Sequence, residues 1–364
     1  MKKLICSLSI LCISIASFSQ ATFTITGKVI DAETKAPLQA ASVFAQNTTV
    51  GTVTDASGAF TIRLYNGGYD LAISFTGYQT YTKRVSSTEN IDNNLLIELK
   101  QKEKSLEEVA IKTSNEIKDG WQKYGDFFTE NFIGKTANSK RCVIKNPETL
   151  KFYFSKKRNR LKVLAAEPVL IENPALGYNI KYTLDSFVYD YNNSTTLFTG
   201  YPLFEEVATT SLPQLQEWHR ARMQAYNGSI LHFMRSLYNK QLAEQGFEIQ
   251  FLVKVNGADS AIKLTSFYGA LNYSKDDSTQ IVEFSPNQAD MAVLFKNEKP
   301  ADDYLATYDD ASKDFELSIV NIPPAQNIAI EQNGFYYDQN DIVATGYWAW
   351  EKAGDMLPYD FKPD

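Results

Sequence analysis

Between Phe23 and Leu99, apolar and polar positions alternate in short runs broken by Asn, Asp, Gly and Ser. F-T-I-T-G-K-V-I ends at the turn-rich D-A-E-T-K-A-P-L. S-V-F-A then leads through Q-N-T-T-V-G-T into T-V-T-D-A-S-G-A-F-T-I-R-L. Period-two runs separated by turn residues predict the strands of a small β-sandwich. Within them, Asp55 and Gly58 lie three residues apart, a spacing that invites comparison with a calcium loop. Such a loop needs oxygen ligands at alternate positions and a later bidentate Glu, and Ala56, Ser57, Ala59 and Phe60 do not supply them. A tight turn fits better: Asp55 bonds its own backbone, and Gly58 takes a positive φ of the kind a hairpin needs. Gly77 is assigned the same kind of structural role.

The pattern changes further on. Ile117, Trp121, Tyr124, Phe128 and Phe132 recur at helical spacing, although Gly120 and Gly125 weaken that helix. T-L-K-F-Y-F and R-L-K-V-L-A flank S-K-K-R-N and predict a hairpin whose tip carries Lys156, Lys157 and Arg158. In G-Y-N-I-K-Y-T-L-D, Tyr178, Ile180, Tyr182 and Leu184 face one way, and Asn179, Lys181, Thr183 and Asp185 the other. F-V-Y-D-Y and T-L-F-T-G-Y continue it as a meander. At Ser211 the period switches to that of helices, with cap and proline signals, and Asn227 and Gly246 bracket a second helical segment. Ile230, Met234, Leu237 and Leu242 keep roughly one face, which predicts a short helical hairpin. Strands then resume, and no internal period suggests repeats.

The first residues are of another kind. Lys2 and Lys3 precede an apolar run from Leu4 to Phe18, with Ser17, Ser19 and Ala21 near its end. This reads as a secretory signal cleaved near Gln20, since a spanning helix needs about 20 apolar residues. Leu11 before Cys12 and Ile5 before Cys6 disfavour lipidation, and no later stretch is apolar enough to predict a transmembrane anchor. Losing the segment removes two lysines and takes the net charge from −7 to −9, which disfavours nucleic acid as a partner. Only Cys142 of the three cysteines remains, so no internal disulfide is expected. Aromatic richness (22 Phe, 21 Tyr, 4 Trp) and 364 residues support a real core rather than disorder.

I-T-G-K-V-I-D-A-E-T-K-A-P-L-Q-A-A-S-V-F-A, G-T-V-T-D-A-S-G-A-F-T-I and L-A-I-S-F-T-G-Y-Q-T together resemble the carboxypeptidase regulatory-like domain. This is a transthyretin-like sandwich that begins many TonB-dependent outer-membrane transporters of the Bacteroidetes. Gln101 to Thr113 is similar to the acidic-then-apolar segment that follows it there. The remaining chain departs from that family, because a barrel of about 22 strands of about 10 residues would not fit in it. Through I-E-N-P-A-L-G-Y-N-I-K-Y, A-Y-N-G-S-I-L-H-F-M-R-S-L and the L-P-Y-D-F end it resembles instead uncharacterised Bacteroidetes proteins with the same N-terminal domain, a resemblance that implies context and no activity. The expected organisation is a signal peptide at 1–20, the sandwich at 21–100, a linker at 101–116 and a β-rich α+β domain at 117–364. The fold class is mainly β with α+β: a seven-strand-type β-sandwich plus a larger β-rich domain with a helical hairpin.

The domain's name invites a test for a carboxypeptidase zinc site, which needs a His, a Glu three residues later and a distant second His. The chain has two His, followed at that spacing by Arg222 after His219 and Arg235 after His232. No metal, cofactor or catalytic residue is therefore assigned. Cys142 sits among basic neighbours that could lower its pKa, but K-R-C-V-I-K reads as a buried strand position. Glu205 with Glu206, and Asp302 with Asp303, do not differ from surface charge, which leaves a carboxylate-based hydrolase as a residual reading. D-S-A at Asp259 and D-S-T at Asp277 resemble short glycosylation acceptors. The sequence thus points to a non-catalytic binding or assembly protein, exported to the periplasm or the outer membrane, with an envelope or outer-membrane protein as partner. The alternative partner is a glycan, met by exposed aromatics among Trp121, Trp218, Trp348 and Trp350; Lys156, Lys157 and Arg158 read first as a solvated turn and otherwise as contacts for an acidic polymer or lipid headgroup.

Overall fold

The computed structural model describes residues 21–88, 94–102, 116–323, 326–337 and 341–363. The expected signal segment, residues 1–20, and most of the expected linker, residues 103–115, lie outside the described residues, as does the side chain of Asp259. Seven strands come first: β1 (Thr22–Asp31), β2 (Ser42–Ala45), β3 (Gly51–Val53), β4 (Ala59–Tyr65), β5 (Gly68–Ser74), β6 (Tyr81–Ser86) and β7 (Asn94–Leu99). They form two sheets, ordered β4-β1-β7 and β3-β2-β5-β6. β1 runs antiparallel to β4 and parallel to β7. Alternate residues of both sheets point inward, and Ile25, Val29, Val43, Ile62, Leu71, Ile73 and Val85 are sealed from solvent between them, as a two-layer sandwich requires.

The Asp55–Gly58 segment is a turn. Asp55 Oδ1 accepts from Ser57 N (2.8 Å), Ser57 Oγ (2.7 Å) and Ala59 N (3.0 Å), and Gly58 has φ of 77°. One detail differs from the sequence expectation: β3 and β4 lie in different sheets, so the turn carries the chain across the sandwich and closes no hairpin. A Cβ at Gly58 would meet Val29 O at 2.5 Å. Gly77 (φ 87°) has open space around it and serves backbone conformation alone.

The rest of the chain is built on one long strand. α1 (Gly120–Phe132) is followed by β8 (Val143–Ile144), β9 (Leu150–Ser155), β10 (Arg160–Ala165), β11 (Val169–Asn173), β12 (Tyr178–Asp190) and β13 (Thr195–Glu206). β12 pairs with β11 along its first half, with β10 along its second and with β13 along its other edge, across a register shift between Leu184 and Ser186. Its predicted alternation is observed: Tyr178, Ile180, Tyr182 and Leu184 are buried while their neighbours are exposed or half-buried. The predicted apolar face of α1 lies on this sheet. Phe128 stacks edge-on to Phe187 at 4.9 Å and Phe132 to Tyr182 at 4.9 Å.

The helical hairpin follows as α2 (Leu212–Tyr226) and α3 (Ile230–Tyr238). Ser211 and Ser229 cap their N-termini by accepting from Gln214 N and His232 N, the role that short hydroxyl side chains fill there. Next come β14 (Phe247–Val255), β15 (Ala258–Lys263), α4 (Phe267–Ala270), β16 (Ser274–Lys275), β17 (Val282–Phe284), β18 (Asp290–Phe295) and α5 (Asp302–Thr307). The chain closes with β19 (Glu316–Asn321), β20 (Ile328–Ile330), β21 (Val343–Gly346) and α6 (Tyr347–Trp350). These give a five-stranded sheet, β15-β14-β18-β19-β21, and a three-stranded one, β16-β17-β20. Phe233, Met234 and Leu237 of α3 pack on them in a second large core.

The sandwich is bonded directly to this body. Asn47 N donates to Pro202 O (2.7 Å), Phe204 N to Thr48 O (2.9 Å) and Tyr359 N to Asn47 O (2.7 Å). Thr49 N donates to the Asp360 carboxylate at 3.0 Å. A second patch joins Gln332 Nε2 to Asn66 O and Asn333 Nδ2 to Gly68 O, both at 3.0 Å. Arg84 lies over the Tyr337 ring at 4.1 Å. Backbone groups on both sides thus find partners across the seam, as buried backbone must.

Candidate functional site

A cleft of about 710 Å³ opens at this seam. Its walls include Gln46, Asn47, Asp70 and Arg84 of the sandwich, Thr196–Pro202 of β13, the α2–α3 junction, and the C-terminal stretch around Trp348, Glu351, Lys352 and Asp355. β13 reaches the cleft because it borders β12 on the side turned to the sandwich, where Thr48 and Leu203 form a parallel bridge. Gly200 lets the strand pass against Tyr182, whose ring atom would lie 2.4 Å from an added Cβ. Half-buried Tyr201 lines the same wall, its hydroxyl pKa raised by burial and then by Asp185 and Asp70.

The charged groups of the cleft have fixed surroundings. Asp355 accepts from Thr136 Oγ1 (2.7 Å), Asn138 Nδ2 (3.0 Å) and Ser139 Oγ (3.2 Å). Burial raises its pKa, and those three donors oppose the rise. Glu351 is pushed well above the usual carboxylate range by burial first and then by Asp355, Glu316 and Glu298. Lys352 donates to Asn131 O at 3.1 Å, and burial lowers its pKa. Arg84 and Asp70 approach to 3.7 Å. Behind the cleft, Glu316 is buried beside Tyr347 and its pKa is pushed up to about 8, chiefly by desolvation.

The sequence candidates fall in different places. Lys156, Lys157 and Arg158 are exposed at the β9–β10 tip, as expected. Of the four tryptophans, only Trp348 lines the cleft. It is half-buried, and its Nε1 donates to Gly228 O at 2.7 Å. Trp218 and Trp350 are not exposed aromatics. Trp218 covers Gly177 and donates to Pro174 O at 2.9 Å, while Trp350 is buried against Tyr304 at 5.6 Å. Both fill space that the folded chain needs filled. Trp121 is half-buried at the start of α1, against Phe152 at 6.5 Å.

The remaining candidates are structural. His232 is buried, accepting at Nδ1 from Gly228 N and pairing Nε2 with Gln245 Oε1, both at 3.1 Å. Burial lowers its pKa, and the ring, accepting from Gly228 N, holds the α2–α3 turn. His219 is exposed on α2. Cys142 precedes β8 instead of lying within a strand, and burial and Asp355 push its thiol up to about 12, the reverse of activation. Glu205 and Glu206 are exposed and paired with Lys181 and Arg222, and Asp303 is paired with Lys140. Among the described residues, no group of three or more His, Cys, Asp or Glu could hold a metal ion.

Sequence reasoning missed Asp31. Its carboxylate accepts from Glu33 N (2.9 Å), Thr34 N (2.7 Å), the Tyr78 hydroxyl (2.6 Å) and Gln101 Nε2 (3.2 Å). It ties the end of β1 to the G-Y turn and to the residues after β7. It also missed Tyr201, Asp70 and Lys352, which no local motif marks because only the tertiary fold brings them together.

Residues 25–111 match the family described as CarboxypepD_reg-like domain. The match supports the resemblance of the sandwich and extends past residue 100, the boundary expected from the sequence. No curated protein matches the chain. Among solved structures, the group B streptococcus pilus 2b backbone protein is 27% identical over 21% of this chain and 40% of its own, with a TM-score of 0.18. A 3-chlorocatechol 1,2-dioxygenase from Rhodococcus opacus is 14% identical over 23% of this chain and 61% of its own, at a TM-score of 0.18. A putative membrane-associated protein of unknown function from Bacteroides fragilis is 12% identical over 85% of this chain and 94% of its own, also at 0.18. This chain thus spans less than two thirds of the first two structures, and at such scores none of the three carries an argument about function. No helix among the described residues is long and apolar enough to cross a membrane.

Proposed function

We propose that this chain is a non-catalytic binding or assembly protein of the cell envelope, exported through its N-terminal segment, with the seam cleft as its ligand site. The observation that carries this reading is that sandwich and body wall the cleft together, so a ligand there contacts both. The sandwich then acts as half of a binding site and not as a free spacer. Its rigid placement favours binding, since a preformed cleft loses less entropy when filled. Of the cleft carboxylates, Asp355 is held by three donors, and burial pushes Glu351 well above the usual carboxylate range. An envelope or outer-membrane protein segment is the first ligand. A glycan is the second reading, favoured by Trp348 and Tyr201 beside Gln46, Thr196 and Thr199 on the walls.

The test places a photo-crosslinking residue at Leu197 or Val343, exposed positions of the cleft, and at Leu96, an exposed sandwich position outside it. The expected result, in envelope fractions of the native host, is one protein captured from both cleft positions and absent at Leu96. Failure there, with binding of envelope oligosaccharides lost in Tyr201→Ala, moves the assignment to a glycan. Oligosaccharide cleavage that disappears in Glu351→Gln would overturn the non-catalytic reading.

A further inference from the structure

The end of the six-stranded sheet farthest along β12 from the Tyr178 end carries a different set of groups. Two hairpin tips meet there, the β9–β10 tip at 156–159 and the β12–β13 tip at 191–194. Tyr191 N donates to Asn159 O at 3.0 Å, Asn192 Nδ2 to Arg158 O at 3.1 Å, and Asn159 Nδ2 to Asn192 Oδ1 at 3.2 Å. Asn159 (φ 49°) and Ser194 (φ 54°) take the left-handed conformation that such tight reversals require. The two tips are therefore one fixed, blunt projection.

Lys156, Lys157 and Arg158 stand exposed on it and form no ion pair among the described residues, whereas neighbouring Arg160 is neutralised by Asp190 at 2.7 Å. Three uncompensated cations gathered on one projection of a chain with net charge −7 are a local reversal of sign. Directly behind them is a band of half-buried aromatics. Phe127 meets Tyr189 at 4.7 Å and Tyr191 at 5.8 Å, Tyr189 meets Tyr191 at 4.7 Å, and Phe154 meets Tyr191 at 5.9 Å. Partial burial, with Tyr124 and Tyr189 close by, raises the Tyr191 hydroxyl pKa.

Cations in front and amphipathic rings behind, on a convex and rigid surface, match the layering of a membrane interface. Basic side chains meet lipid phosphates there and tyrosines settle at headgroup depth. A linear acidic polymer would call for a groove, and the tips form a projection. We propose that this double-hairpin tip docks the protein on the surface of a membrane bearing anionic headgroups. The docking is peripheral and reversible, because three charges without a lipid anchor give a weak attachment.

Flotation of the mature chain with vesicles of equimolar phosphatidylcholine and phosphatidylglycerol, against pure phosphatidylcholine, tests this. Binding is expected only to the mixed vesicles and should fall steeply with added salt. Combined Lys156→Ala, Lys157→Ala and Arg158→Ala should weaken it about five-fold per charge, roughly a hundred-fold together. The single Lys157→Ala variant should show its five-fold share if the triple variant folds poorly. Tyr191→Ala should weaken binding a few-fold with the salt dependence unchanged. Equal binding to both vesicles, no binding, or an unaffected triple variant would overturn the proposal. So would capture by dextran sulfate without vesicle binding, which would assign the tip to an acidic polymer.

Discussion

Asp31 and Asp55, in the sandwich, hold their charge in turns, whereas Glu316, Glu351 and Asp355, in the body, carry theirs into the interior. For Asp31 the Thr34 amide, then Tyr78 and Gln101, hold the carboxyl well below the usual range. For Asp55 the Ser57 hydroxyl does so first, followed by the Ala59 and Ser57 amides. For the body acids the largest cause is desolvation in every case, which favours the neutral form. The same residue type thus acts as a backbone clamp in one region and, in the other, as a group whose neutral form burial favours. The two regions should consequently respond to pH in opposite directions.

The largest effect expected concerns Glu316. Its folded pKa of about 8 lies above the unfolded 4.5, so its protonated form is what the fold accommodates. Stability from this group is complete below pH 4.5 and is lost as pH rises toward 8, where the penalty approaches roughly 4 kcal/mol if nothing relaxes. Glu316→Gln should reduce that loss, read as a melting temperature that falls less between pH 5 and 8 than in the parent, the remainder coming from Glu351 and Asp355. The sandwich acids run the other way. Their folded pKa values are depressed from 3.8, so their contribution is present above that value and lost as pH falls through the folded values. Amide protection relative to the intrinsic exchange rate at each pH should fall in acid at β1 and β4, and in base at β19. Loss of protection in both regions at the same end of the scale would break the comparison.

A smaller effect separates two glycines of the sandwich. Gly58→Ala meets both a positive φ and Val29 O at 2.5 Å, and should cost about 2 to 3 kcal/mol. Gly77→Ala meets the positive φ alone, and about 1 kcal/mol is expected. Urea midpoints of the two variants measure the difference, and equal losses would show that the close approach to β1 relaxes freely.

Much of the fold was legible wherever one stretch of chain decides its own environment. The alternation from Tyr178 to Asp185, the Ser211 cap, the basic hairpin tip and the Asp55 clamp all depend on residues a few positions apart. Periodicity could not assign β3 and β4 to different sheets, because a turn of the same residues serves either topology. Nor could it show that Trp218 and Trp350 are interior, since their environments come from Gly177 and Tyr304. The cleft was illegible for the same reason: Asn47 Nδ2 finds Leu357 O across 310 positions of sequence.

The smallest predicted effect concerns the seam that joins the two regions. Thr49 N lies 3.0 and 3.2 Å from the two Asp360 oxygens, and the Thr49 hydroxyl donates to the same carboxylate. Burial raises the pKa of Asp360, and the Thr49 bonds oppose that rise. Asp360→Ala should therefore cost about 1 kcal/mol, the net value of such bonds once solvent takes their place. The bonds from Asn47 N to Pro202 O and from Phe204 N to Thr48 O remain in the variant, so the seam should loosen locally without parting. Amide exchange at Thr49 should rise several-fold while β5 and β12 stay protected. If β5 and β12 amides accelerate equally with Thr49, the seam is a cooperative part of both cores, and the sandwich and body act as one unit in every response to pH described above.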